Sequence, residues 1–257
     1  AQHPDTLRDL FSAPSIGPFE GRLSSEGEVV SLRNSAGEVV DRVDYRQGFP
    51  WPTAAGGDGP SMELIHPTLE NDLGGSWRAS QGEPTPGQPN SILSSEAAPQ
   101  IRQVRHLPQQ PKSGQATVVT AKVTDPDGVS SVELEYQVVT AGNYIPALLP
   151  LSIRDLRRTP DKPRELNPDY VAAENWTSLV MVDDGTQGDS QAGDDIYTAT
   201  LPGQTHRTLM RYRIQVTDTG LTSAIVPYED DASRNFAYFV YDGVPNYEEH
   251  SAETLQS

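Results

Sequence analysis

Hydrophobic and polar residues alternate with a period of two along several stretches of the chain. In residues 132–139 and 211–218 the apolar positions fall on one face and the polar positions on the other, as in antiparallel strands with one buried face. Weaker alternation marks residues 117–125 and 195–202, and residues 235–242 are apolar on both faces. This pattern predicts an all-β fold. The predicted polar face of the two clearest strands consists of Glu133, Glu135, Gln137, Arg211, Arg213, Gln215 and Thr217.

Helical periodicity is confined to two short stretches. Residues 4–11 and 153–158 are predicted to form helical turns. The 22 prolines and 21 glycines favour many short strands over long helices. With 257 residues, the chain is long enough for one large domain or two ordinary ones.

A change in composition near residues 80–99 suggests where the chain divides. This stretch is rich in Pro, Gly and Ser and has little to bury, which is typical of a connector. A charged, proline-broken segment later in the chain is predicted to be an insertion loop, because strand patterns continue on both sides of it. The predicted units are a first module at 1–92, a linker at 93–97, a second module at 98–244 with an insertion loop at 152–175, and a tail at 245–257.

Charge and cysteine content narrow the classes of partner. Lys plus Arg number 19 and Asp plus Glu number 36, so the net charge is −17. Such a surface repels nucleic acid and anionic membranes, so neither is expected as a partner. The chain has no cysteine, which excludes disulfides, thiolate metal sites and a cysteine nucleophile. No apolar run approaches a membrane span, and "AQHPDTLRDL" has neither the basic start nor the apolar core of a signal peptide.

The first ninety residues carry a distinctive series of motifs. These are "GPFEGRLSSEGEVVSLRNSAGEVVDRVDY" at 17–45, "PWP" at 50–52, "DGPSMELIHP" at 58–67, "NDLGGSWRAS" at 71–80 and "TPGQPN" at 85–90. In order and spacing they resemble the lamin tail domain of secreted bacterial proteins. The resemblance implies an immunoglobulin-like sandwich, with Trp51 and Trp77 packed in or against its core. The family's opening strands have no counterpart here, so we expect the first module to be incomplete at its N-terminus.

The second module resembles a different unit. "VTDPDGVSSVELEYQV", "MVDDGTQGDSQAGDDIYTATLPG" and "NFAYFVYDGVPNY" are similar to the immunoglobulin- or fibronectin-III-like module that follows lamin tail domains in bacterial CotH-type proteins. The atypical kinase-like domain of those proteins would come next, and no residue of it can be carried over to this sequence. The resemblances therefore imply two tandem immunoglobulin-like β-sandwich modules.

An acidic loop, "DDGTQGDSQAGDDIYTA" at 183–199, is the main candidate for a binding site. An EF-hand loop needs oxygen ligands at its first, third and fifth positions. Registers starting at Asp183 or Asp184 place Gly, Thr or Gln at the third and fifth positions, so both fail. The spacing favours two consecutive turns, in which glycines supply positive φ and aspartates accept hydrogen bonds from nearby amides. The alternative is an irregular calcium site, with Asp183, Asp184, Asp189, Asp194 and Asp195 as ligands.

The remaining candidates favour structural interpretations. Asp125 and Asp127 in "TDPDGVSS" are typical of a strand-connecting turn. The sequence has no G-x-S-x-G, Walker A or H-E-x-x-H motif, so no catalytic residue is predicted. No two histidines have metal-ligand spacing, and His66 is interpreted as a half-buried packing residue. The histidines are His3, His66, His106, His206 and His250, and the aromatic residues that could stack on a sugar or instead cover the core edge are Tyr144, Tyr170, Trp176 and Tyr228.

These observations predict a non-catalytic structural or adhesive module pair that spaces or anchors a neighbouring domain of its parent protein. The resemblances imply an extracellular or cell-surface location in a bacterium. Two alternatives stay open: an accessory region that positions substrate for a CotH-type kinase-like domain, or a module that binds a surface protein or a polysaccharide. No cofactor is predicted, apart from the calcium alternative in the acidic loop.

Overall fold

The chain is built mainly of antiparallel β-strands, which confirms the all-β prediction. The structure is a computed structural model that describes residues 3–15, 17–18, 20–54, 59–160, 162–231 and 233–244, so the predicted tail lies outside the described residues. The strands are β1 (Glu28–Arg33), β2 (Val39–Tyr45), β3 (Met62–Leu64), β4 (Trp77–Ala79), β5 (Gln100–Leu107), β6 (Thr117–Thr124), β7 (Val129–Val139), β8 (Thr177–Val180), β9 (Ile196–Leu201), β10 (Leu209–Asp218), β11 (Ser223–Val226) and β12 (Phe236–Phe239). The helices are α1 (Pro4–Phe11), α2 (Ile153–Arg158) and α3 (Pro168–Val171), with single 3-10 turns at Gly74–Ser76 and Ala173–Asn175.

The second module is two sheets packed face to face. One sheet has three strands in the order β5-β6-β9. The other has five: β8, β7 and β10 are consecutive neighbours, and β11 and β12 pair with successive halves of the far edge of β10. The alternation read from the sequence puts one face of every long strand between the sheets. The shared core contains Ile101, Val119, Ala121, Val123, Val132, Leu134, Met181, Ala199, Leu201, Met210, Tyr212, Ile214, Val216, Ala224, Val226, Tyr228, Tyr238 and Val240.

The predicted polar face of β7 and β10 does not face water along its whole length. Gln137 and Arg211 are opposite each other in the ladder, yet their exposed fractions are 4% and 2%. The segment between β7 and β8 covers them, with Tyr170 fully buried and the Arg211 guanidinium donating to the carbonyl of Ile145 at 2.6 Å. The predicted insertion loop therefore contains two short helices, α2 and α3, and forms a third layer over the sheet. Val138, predicted to be in the core, is instead exposed.

The first module is much smaller. Its described strands form two separate two-stranded sheets, β1-β2 and β3-β4. Trp51 is buried and stacks on Trp77 with ring centroids 6.2 Å apart. Gly74 must be a glycine here, because a Cβ at that position would lie 2.8 Å from the Trp51 ring. The hairpin formed by β1 and β2 leaves Val29, Val30, Leu32, Val39 and Val40 exposed.

The Pro- and Ser-rich connector is fastened to the first module by a buried carboxylate. Glu63 on β3 accepts hydrogen bonds from the backbone amide and hydroxyl of Ser91 at 2.7 and 2.8 Å, and from the hydroxyls of Thr85 and Ser61. Burial alone would raise the pKa of Glu63, but these hydrogen bonds outweigh it and lower the pKa. Further along, the Ser94 amide donates to the carbonyl of Ile65 at 3.1 Å. Even within the predicted linker, the chain is therefore held against β3.

The two modules are in direct contact. Phe49 of the first module packs against the core of the second, with its ring centroid 5.4 Å from Phe236 and 5.8 Å from Tyr228. The carboxylate of Asp230 accepts hydrogen bonds from the amides of Thr53 and Ala54 at 3.0 and 3.3 Å. These contacts join residues far apart in sequence, so local patterns did not predict them. In the described part of the chain, no helix is long and apolar enough to cross a membrane.

Candidate functional site

The acidic loop is a compact structure between Val182 and β9. Its backbone takes positive φ at Gly185, Gly188 and Gly193, and also at Gln187 and Asp195. Glycine adopts positive φ without steric cost, which explains why the loop needs Gly185 and Gly193. The predicted consecutive turns are therefore present, and Gly188 between them also has positive φ.

Asp183 organises the closing end of this loop. Its Oδ1 accepts hydrogen bonds from the amides of Gly193 and Asp194 at 2.8 and 3.2 Å, and its Oδ2 accepts one from Asp195 at 3.0 Å. Three successive amides thus converge on one carboxylate, which is the backbone concavity that binds anions in many proteins. Because the loop's own aspartate occupies this concavity, the carboxylate is part of the loop's architecture.

Three other aspartates also accept hydrogen bonds from backbone amides. Asp184 accepts from Thr186 at 2.9 Å, Asp194 accepts from Ile196 at 3.0 Å, and Asp189 accepts from Gly185 at 2.7 Å. The prediction that these side chains cap nearby amides is confirmed for four of the five aspartates. Asp195, the fifth, is exposed and has no such bond among the described residues.

The loop also brings three carboxylates close together. Asp183, Asp189 and Asp194 each offer one oxygen, and these oxygens lie within 4.8 Å of one another. Calcium takes six to eight oxygen ligands, so carbonyls or water would have to complete a site here. Asp184 and Asp195 do not belong to this group in the described structure. The arrangement allows a cation, but its hydrogen bonds already account for why each aspartate is there.

A serine, a histidine and an aspartate that no motif indicated come together at one end of the second module. The Ser113 hydroxyl donates to the carboxylate of Asp242 and accepts a hydrogen bond from the backbone amide of His206 at 2.8 Å. The His206 ring instead accepts a hydrogen bond from the backbone amide of Asp242 at Nδ1, at 3.1 Å. A nucleophilic serine needs its hydroxyl bonded to the imidazole that takes its proton. These contacts are wrong for that chemistry and instead clasp three chain segments together.

The two other described histidines with side-chain hydrogen bonds also have structural roles. His66 follows β3, is half-buried as predicted, and its Nδ1 lies 2.7 Å from the Thr68 hydroxyl. His106 lies 3.0 Å from the Tyr212 hydroxyl through Nδ1 and 3.3 Å from the Gln109 carbonyl through Nε2. Burial lowers the pKa of His106, which favours the neutral ring. His250 lies outside the described residues.

The turn at Asp125 and Asp127 is formed as predicted. Asp125 Oδ1 accepts a hydrogen bond from the amide of Asp127 at 2.8 Å. The backbone carbonyl of Asp125 accepts one from the amide of Gly128, which has φ +95°. Burial raises the pKa of Asp125, and the nearby charges of Asp218 and Asp127 add to this effect. This turn connects β6 to β7.

The four aromatic candidates for sugar stacking are already engaged. Tyr170, Trp176 and Tyr228 are buried, and only Tyr144 is exposed. Arginine guanidinium groups lie over three of the rings: Arg211 over Tyr144 at 4.3 Å, Arg213 over Trp176 at 4.2 Å and Arg78 over Tyr228 at 3.7 Å. Tyr228 belongs to the core of the second module, whereas Tyr170 and Trp176 pack edge to face in the layer that covers the polar face of β7 and β10.

An apolar groove in the first module was not indicated by any motif. It has a volume of about 510 Å³ and lies between the β1-β2 hairpin and the β3-β4 sheet. Only the tertiary structure shows it, because its lining comes from five separate segments of the chain. Its principal lining residues are Leu23, Val30, Val43, Tyr45, Met62 and Trp77.

Comparisons with models of known protein families and with curated proteins gave no match for this chain. The resemblances to lamin tail domains and to CotH-associated modules therefore rest on the sequence motifs alone and stay predictions.

Proposed function

We propose that the chain is a non-catalytic structural unit, in which two β modules act as one rigid spacer that holds a neighbouring domain. In this proposal the parent protein is secreted by a bacterium or displayed on its surface, as the motif resemblances imply. The observation that carries the proposal is the junction between the modules. A spacer transmits position only if its parts do not move independently.

The junction combines apolar, polar and cation–π contacts. Phe49 inserts among aromatic residues of the second module, Asp230 binds two amides of the first, and Arg78 lies over Tyr228. Gln100 Nε2 also donates to the Ser76 hydroxyl at 2.9 Å in a fully buried contact. A Cβ on Gly75 would lie 2.6 Å from Gln100 Oε1, so a larger residue there would displace the Gln100 side chain. Buried contacts of these different kinds favour a single relative orientation.

The non-catalytic part of the proposal rests on how the polar residues are used. The serine–histidine–aspartate group is hydrogen-bonded as a clasp, and the aspartates of the acidic loop bind their own backbone. We expect no phosphate release from ATP above background. Such release, if lost on mutation of a defined pair of residues, would contradict this part of the proposal.

A distance measurement between the modules tests the spacer. The chain has no cysteine, so spin labels can be attached at Ala36→Cys in the hairpin turn and Ala141→Cys beyond β7, two exposed sites. We expect a single narrow distance distribution in pulsed electron paramagnetic resonance. Phe49→Ala and Asp230→Ala should each broaden it, because they remove junction contacts.

Asp127→Ala is the matched control, since Asp127 is an exposed aspartate of the second module that makes none of the junction contacts named above. It should leave the distribution narrow. A broad distribution in the unmodified double-labelled chain would refute the rigid spacer. So would equal distributions in the Asp127 and Asp230 variants.

A further inference from the structure

The hairpin of the first module has one occupied edge and one open edge. The Asp44 amide on β2 donates to Asp72 at 2.9 Å, and the Arg42 amide donates to Asp41 Oδ1 at 2.8 Å. Both amides therefore point away from β1, towards the outer edge of β2. Side chains of the first module already bind them, so this edge is closed to a further strand.

The same hydrogen bonds identify the free groups of β1. Asp44 is opposite Val29 and Arg42 is opposite Ser31 in the antiparallel ladder. In such a ladder, opposite residues direct their backbone groups either towards each other or both outwards. The backbone groups of Val29 and Ser31 therefore point to the outer edge of β1, and no described residue bonds their amides.

The open edge adjoins the apolar groove. Val30, between the two outward-pointing residues, lines the groove and is 44% exposed, and Leu32 continues the same face at 63% exposed. An isolated two-stranded hairpin is marginally stable in water, and exposed apolar patches next to a strand edge mark interaction sites. A ligand for this surface has to satisfy backbone groups on one side and fill an apolar groove beneath.

We propose that this surface binds an extended polypeptide strand, which pairs with β1 and places alternate apolar side chains in the groove. Strand addition supplies both requirements at once, since a β-strand carries edge hydrogen-bonding groups and side chains with a period of two. The inference goes beyond the spacer function and does not depend on the junction.

Charge selects the kind of strand. The chain carries −17 overall, and residues 20–46 carry six acidic and four basic side chains, a local net charge of −2. A second copy of the same chain would be repelled at long range, whereas a strand with basic or neutral polar positions would be attracted. The occupant is therefore a foreign strand with alternating apolar residues and basic polar residues.

A synthetic peptide provides the probe. In it, valines alternate with threonines, a lysine stands at each end, and the termini are acetylated and amidated. Calorimetric titration into the full chain should detect binding. Two further peptides carry N-methyl groups on alternate residues, in opposite phase. Only the phase whose methyl groups face β1 should weaken binding, on the order of ten-fold or more, because only that phase loses the edge hydrogen bonds.

Two variants of the protein test the groove separately. Val30→Asp should weaken binding on the order of ten-fold or more, because it places a charge on the groove lining. Val40→Asp is the matched control, since Val40 is an exposed valine of the same hairpin outside the groove, and it should leave the affinity within about two-fold. Equal effects of the two N-methylated peptides, or of the two variants, would overturn the proposal.

Two other outcomes would also overturn it. If sedimentation of the chain alone shows a dimer that Val30→Asp dissociates, a second copy occupies the surface. If the peptide with glutamates in place of its lysines binds as tightly, charge does not select the strand. Loss of peptide binding would leave the distance distribution between the modules unchanged, so this inference and the spacer function can fail independently.

Discussion

Replacement of Asp183 by asparagine tests whether the acidic loop is a structural element. The variant keeps the size of the side chain but removes its charge. The carboxylate now accepts hydrogen bonds from the backbone amides of Gly193, Asp194 and Asp195. In the variant, the side-chain NH2 group, which is a donor, would replace one of the two accepting oxygens. We expect Asp183→Asn to destabilise the second module even when calcium is chelated.

The size of this loss follows from the three hydrogen bonds. A hydrogen bond to a charged group contributes about 1.5–3 kcal/mol when buried. Asp183 is only partly buried, so water replaces part of what is lost, and we expect a total of roughly 2–3 kcal/mol. With a urea dependence of about 2 kcal/mol per molar, the unfolding midpoint should fall by roughly 1–1.5 M.

Tryptophan fluorescence during urea unfolding of the full chain, to which the buried Trp176 of the second module contributes, is a suitable assay. Asp195→Asn is the matched control, because it makes the same change of charge in the same loop. Asp195 is exposed, its side chain accepts no backbone hydrogen bond among the described residues, and it has φ +65°, which asparagine tolerates. The control should shift the midpoint by less than about 0.3 M. Equal shifts for the two variants in chelator would refute the structural interpretation of Asp183.

Two further predictions concern ions. The thermal midpoint should be the same in chelator and in millimolar calcium, and a rise of several degrees that Asp189→Ala or Asp194→Ala removes would instead establish a cation site. For His106, whose pKa is lowered by burial, the unfolded chain binds more protons than the folded chain below the ordinary histidine pKa of about 6.5. The contribution of His106 to the free energy of unfolding should therefore be complete above that pH and fall as the pH decreases through it. Urea unfolding midpoints, measured between pH 7.5 and 5.5, should decrease less for His106→Gln than for the native chain.

The strands of the second module could be predicted from the sequence because alternation is a local property. β7 and β10 each follow a polar–apolar alternation that only an extended chain can bury on one side. The acidic loop was also predictable in outline. Its aspartates bind amides mostly within a few residues, and glycine takes the positive φ of a turn without steric cost.

Other features depend on residues distant in sequence. The pattern around Arg211 is that of a solvent-facing position, but the segment that includes Tyr170 covers it. Ser113, His206 and Asp242 meet because the loops around them converge at one end of the sandwich. The function of each group depends on which atom faces which, and no spacing in the sequence encodes that.

Sequence alone determined the class of fold and the main turns, since backbone conformation and one-sided burial follow from neighbours a few residues apart. Tertiary structure decided which strand faces were covered, how the modules joined and which edge of the hairpin stayed open. At the hairpin, both strands have the apolar residues of a half-buried pair. Asp72 closes the outer edge of β2 from 28 residues away, and no described group does the same for β1. A strand edge is open or closed according to what packs beside it in space, which alternation along a single strand cannot specify.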